Sequence, residues 1–236
     1  AAIAFVDGRK TDFDAALARI FAVNPSNGDG YRVAAALSAS NYGFDDAVAL
    51  TRQATALEPD STRAWADLGM HLLRTGDEQE ARRVLETAFR GDPYDVVTYN
   101  LLQMLDALDR FDSIKTSHAV VRLHPDESPV MKPYAVQIVD QAIAAYSKRY
   151  QITPRSPIIV EIFPKHDDFA VRNLGLPGMI GALGACFGRV VTLDSPRARP
   201  PGSFNWQATL WHELAHVFTL QLSKQRVPRW LTEGIS

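Results

Sequence analysis

His212 and His216 lie four residues apart with Glu213 beside the first, in the run His212-Glu213-Leu214-Ala215-His216. On a helix, positions i and i+4 share a face, with Cβ atoms about 5–6 Å apart. Two imidazoles at that spacing can hold one zinc ion without bending the backbone, the H-E-x-x-H arrangement. Glu213 falls at the edge of the same face, where a carboxylate can take a proton from water without being a ligand. The chemistry implied is metal-assisted hydrolysis with a glutamate as general base.

A helix must carry these residues. Phe204, Ala208, Trp211, Ala215, Phe218 and Leu222 recur at spacings of three and four, which predicts an apolar stripe along one side. Pro200, Pro201 and Gly202 precede the run and Pro228 follows it, as helix boundaries do. A catalytic zinc commonly has three protein ligands. The candidate for the third is Glu233, in Trp230-Leu231-Thr232-Glu233-Gly234. Pro228 suits the first turn of a new helix, because the N–H it lacks is not needed there. Residues 224–227 then read as a reversal, and an antiparallel return carries Glu233 toward the histidines. The metzincin layout needs a glycine and a third histidine where this chain has Thr219 and Leu222, so it is excluded. A packing role for both histidines would leave Glu213 and Glu233 without a purpose. Structural zinc sites favour four Cys/His ligands, and the chain has one cysteine.

HELAH followed by WLTEG resembles the gluzincin superfamily, and specifically the peptidase MA-like domain often fused to tetratricopeptide repeats. The resemblance covers roughly residues 113–236 and takes in Pro228-Arg229-Trp230 and the segment from Gly181 to Asp194. It implies a small α+β, zincin-like domain that binds Zn2+ through His212, His216 and Glu233, with Glu213 as general base. It further implies that an edge strand entered through Gly184, Ala185, Cys186, Phe187 and Gly188 pairs with an extended substrate backbone. The composition alone gives a second reading of that segment, an ordinary strand with a glycine-rich entry. Cys186 reads as a small buried residue. Members of this superfamily also use a downstream Tyr or His. The chain ends at Ser236 and begins on Ala1, so a domain incomplete at its C-terminus is expected.

The first half carries a different pattern. Pro25, Pro59 and Pro93 are 34 residues apart, as are Ala47 and Ala81, and Ala54 and Ala88. That is the period of a tetratricopeptide repeat. The clearest copy holds Trp65, Leu68, Gly69, Leu72, Gly76, Ala81, Leu85, Ala88 and Pro93; a weaker one precedes it with Tyr31, Ala34, Ala35, Ala47, Ala54 and Pro59. Residues 11–25 read as the second helix of an earlier copy, and 95–108 open a further one that degrades. His71 reads as a helix-packing residue. The expected architecture is multidomain: an all-α tetratricopeptide solenoid over 1–112, then the gluzincin domain over 113–236. Within the latter, strands are expected over 117–123, 157–163 and 184–193, and helices over 134–150 and 167–174. His118, His124 and His166 fall in strands or loops at no ligand spacing.

Composition narrows the partners. The net charge of −2 argues against nucleic acid. Residues 1–112 carry 11 basic and 18 acidic side chains, and residues 113–236 carry 14 and 9, which reads as solvated faces of differing sign. No run of 18 apolar residues predicts a membrane span. The single cysteine excludes an intrachain disulfide and leaves the compartment open. The function implied is a zinc metallopeptidase acting on a protein or peptide, with a protein partner on the concave face of the repeats. A non-enzymatic adaptor with a dormant metal domain is the alternative. A hydrolase of non-peptide amides would use the same residues.

Overall fold

The computed structural model describes residues 1–236. It divides into two compact units, Ala1–Tyr99 and Asn100–Ser236.

The first unit is helical. Its helices are α1 (Ala2–Val6), α2 (Lys10–Val23), α3 (Asp29–Ser40), α4 (Phe44–Leu57), α5 (Thr62–Thr75), α6 (Glu78–Gly91) and the start of α7 (Val96–Leu108). α3 packs on α4 and α5 on α6 as consecutive hairpins. Small residues make the close crossings possible: Ala34, Ala47, Ala54, Ala64 and Ala81 are wholly buried. Gly69 is the tightest case, because a Cβ there would sit 2.4 Å from Cγ of the buried Leu85. The caps agree with the sequence. Ser61 Oγ accepts from the Ala64 N–H at the start of α5, and Gly76 closes it at φ 80°. Arg52 forks onto both oxygens of Glu80, at 2.6 Å each, tying α4 to α6.

His71 lies inside this unit, with no hydrogen-bond partner for Nδ1. Burial, and next the Arg74 charge, lower its pKa from 6.5 to about 3. Between those values the unfolded chain binds a proton that the folded chain refuses. Stability therefore falls as pH drops through that window, by about 1.4 kcal/mol per pH unit. Urea midpoints measured by circular dichroism at pH 7 and pH 5 should show this fall. In a His71→Leu variant the His71 contribution should vanish.

The second unit begins with the rest of α7 and adds a five-stranded sheet: β1 (Asp112–Lys115), β2 (Ala119–Leu123), β3 (Ile158–Phe163), β4 (Gly184–Cys186) and β5 (Val190–Asp194). The strand order is β1-β2-β3-β5-β4. β2, β3 and β5 run parallel, while β1 and β4 pair antiparallel at the two edges. The helices are α8 (Ser128–Tyr150), α9 (His166–Leu174), α10 (Trp206–Leu222) and α11 (Arg229–Ile235).

The pleat sorts the faces. Arg122, Glu161, Thr192 and Ala185 are register partners in one row across the sheet. Glu161 accepts from the buried Arg172, and Asn173 accepts from Thr192, so α9 covers that face. Gly184, Cys186, Val191 and Leu193 turn the other way. There α10 packs on β4 and β5, with α8 alongside it. No helix is long and apolar enough to cross a membrane.

Several sequence expectations are revised. The single strand expected over 184–193 is a hairpin. Gly184, Ala185 and Cys186 form the edge strand, but Phe187 and Gly188 are its turn. Gly188 adopts φ 87°, a left-handed conformation that reverses the chain. α8 starts at Ser128, six residues ahead of the expected start, and continues through Pro133. β1 lies where the fading repeat gave no strand signal. On α10 the expected stripe covers too little and is partly misplaced. Ala208, Trp211 and Leu222 are exposed, and every residue from Glu213 to Leu220 is buried. The helix is packed by α8 and by the hairpin together, so burial extends beyond one stripe.

Candidate metal centre

α10 is a well-made helix. The Asn205 side chain accepts from the N–H groups of Gln207 and Ala208, 3.1 Å each, satisfying two donors of its first turn. His212 and His216 follow one turn apart, and their rings meet edge to face at 4.7 Å. After α10 the chain reverses through Lys224 and Gln225, both at positive φ. Pro228 then caps α11. The short helix returns against α10 and delivers Thr232 and Glu233.

Three of the expected residues therefore converge. Ligand atoms of His212, His216 and Glu233 lie within 4.8 Å of one another. Nε2 of His212 is 3.1 Å from Nε2 of His216, and Glu233 Oε2 is 3.5 Å from each. Two ligands of a tetrahedral zinc, each about 2.0–2.1 Å from the ion, stand roughly 3.3–3.4 Å apart. The observed triangle has edges of that size, and its two imidazoles and one carboxylate are ordinary zinc donors. The residues present fit a zinc ion. Burial is the main influence on His216 and lowers its pKa. Arg229 Nε approaches the other Glu233 oxygen at 3.7 Å from an exposed position.

Glu213 stays out of the triangle. It is 7% exposed and lies under β4. Burial, then the charge of Glu233, push its carboxyl up to about 8. A dication held by the neighbouring residues would oppose that rise. β4 closes over Glu213 without a side chain: a Cβ on Gly184 would lie 2.7 Å from Glu213 Cγ, 2.8 Å from Oε1 and 3.0 Å from Cδ. Gly184 thus brings the edge strand onto the carboxylate. Gly184→Ala should displace the Glu213 carboxylate while sparing the three ligand positions. A crystal structure of that variant should show the Glu213 carboxyl shifted and the His212, His216 and Glu233 side chains where they stand in wild type.

The remaining candidates sort plainly. Cys186 is buried, and burial raises its thiol far out of the reactive range. His118 and His124 join no metal cluster. His166 is more engaged than the sequence suggested. Its Nδ1 lies 2.9 Å from the buried Asp194, its Nε2 meets the Met179 carbonyl, and Arg199 bonds both His166 and Asp194. This cluster ties the loop ahead of β4 to the end of β5. Sequence reasoning missed it, and it missed Thr232 and Thr219, which bond beside His216.

A tetratricopeptide-repeat family model matches residues 43–105. That span runs from the N-cap of α4 into α7 and includes the α5–α6 hairpin, so the helical region carries this repeat. Repeats of this kind indicate a protein partner. No curated protein and no solved structure matched the chain.

Proposed function

We propose that the second unit is a zinc-dependent peptidase of gluzincin type, and that the repeats dock its protein substrate or a protein partner. The observation that carries this reading is the convergence of His212, His216 and Glu233 with Glu213 held beside them. His212, His216 and Glu233 would hold the ion. A zinc ion bound there would supply Lewis acidity toward a carbonyl and bring the pKa of water toward about 7.

The chain's own residues do the rest. Glu213 Oε accepts the proton of the attacking water and passes it to the leaving amine. Its burial keeps bulk water from competing for that proton. β4 lies at the sheet edge, next to Glu213, with no strand paired on its outer side. A substrate backbone paired there would run close to the carboxylate that acts as base. Gly184, Ala185 and Cys186 would form that rail.

A second reading has one observation in its favour: the family match falls on the repeats alone. The protein would then be an adaptor whose metal domain does no chemistry. Elemental analysis of purified protein, beside an assay on an unstructured protein such as casein, separates the two. The peptidase reading expects about one zinc per chain and cleavage that a chelator stops. Zinc without cleavage supports the adaptor, and no zinc overturns the metal centre.

A further inference from the structure

The hydrogen bonds behind His216 form a closed circuit. Its Nδ1 lies 2.8 Å from Thr232 Oγ1, which lies 2.7 Å from Thr219 Oγ1; Thr219 in turn donates to the His216 carbonyl oxygen at 3.3 Å. Thr232 is wholly buried, Thr219 is 4% exposed and His216 is 6% exposed. At that depth the directions of these bonds are set by the protein. Each hydroxyl has one proton. A carbonyl oxygen can only accept, so Thr219 spends its proton there. Thr232 must then donate to Thr219, and its remaining capacity is to accept from Nδ1–H. The reverse order gives up the carbonyl bond and puts a proton on Nε2, which faces the His212 nitrogen and the Glu233 carboxylate.

We infer that Thr232 and Thr219 are positioning residues that lock His216 as its Nδ1–H tautomer, leaving the Nε2 lone pair free for the ion. The inference rests on the proposed metal centre. It gives the residue before Glu233 a task of its own: one turn of α11 delivers both the third ligand and the group that orients the second. Partners of this kind typically contribute 10–100-fold in metal affinity. The relay differs from a carboxylate partner in carrying no charge, so it sets the tautomer without adding to the negative charge of Glu233.

The test uses the full chain with Thr232→Val, Thr219→Val and Thr232→Ser. The His216 tautomer is read on the metal-free full chain by two-bond ¹H–¹⁵N correlation on ring-labelled protein, assigned by its loss in His216→Gln. Zinc affinity is read by competition with a chromophoric chelator. Wild type should show the Nδ1–H form. Thr219→Val strips Thr232 of its acceptor, so Thr232 should turn to donate to Nδ1 and His216 should shift to Nε2–H. Thr232→Val should weaken zinc binding by about 10–100-fold, and Thr232→Ser should restore it. A merely structural role predicts no tautomer change. An unchanged Nδ1–H form in Thr219→Val, or wild-type zinc affinity in a folded Thr232→Val, overturns the relay. Should Thr232→Val fail to fold, Thr219→Val and Thr232→Ser still decide. A wild-type chain that takes up no zinc sinks the metal centre instead, while the tautomer spectra still judge the relay.

Discussion

Glu213→Gln should leave the chain folded and zinc-loaded yet lower peptide hydrolysis by about 10²–10⁴-fold, the usual contribution of a positioned acid–base group. The substitution keeps the shape of the side chain under Gly184 and removes only its capacity to take a proton. Glu213 lies outside the triangle of ligand atoms, so zinc content should match wild type. Removing a buried carboxyl whose pKa is already raised to about 8 should not destabilise the fold. Kinetics on a fluorogenic peptide, run beside elemental analysis, checks both halves. An active Glu213→Gln protein would remove the general base from the account.

The second large effect belongs to the ligands. His216→Ala should abolish both zinc uptake and hydrolysis. It removes one of three donors, so the loss of affinity should exceed the 10–100-fold typical of outer partners. It also leaves the Thr232 hydroxyl without the imidazole it meets in wild type. A thermal readout shows the same thing independently. Zinc at 100 times its dissociation constant stabilises a folded protein by about 2.7 kcal/mol, so added zinc should raise the melting temperature of wild type. It should leave that of His216→Ala unmoved. An equal rise in both proteins would place the zinc elsewhere.

The parts of the site visible in the sequence are those that local geometry specifies. The spacing of His212 and His216 needs only a helix, and the breaks at Pro200, Pro201 and Gly202 and at Pro228 bracket that helix and start the next; the cap at Asn205 was not read in advance. The link between the two helices is short, so a return of α11 along α10, with Glu233 brought near the histidines, could be expected from the sequence. The 34-residue period was equally local, because each repeat pairs helices adjacent in sequence. What escaped depends on distant partners. Thr219 and Thr232 are 13 residues apart, and His166 and Asp194 are 28 apart. A threonine or a loop histidine carries no mark of such a bond. The hairpin at Gly188 was hidden because glycine serves equally for a strand entry and for a reversal. Trp211 was placed on the buried stripe, yet its ring lies at the surface against Tyr146. The helical period gives one buried side, whereas α10 is packed by both α8 and the hairpin.

The central claim is that His212, His216 and Glu233 hold one zinc ion between them. Crystals of the zinc-equilibrated chain, measured above and below the zinc absorption edge, test it directly. A single anomalous peak about 2 Å from both Nε2 atoms and a Glu233 oxygen is expected. Zinc-edge density elsewhere with none among these three side chains, or a Glu233 carboxylate turned away from the histidines, would contradict it.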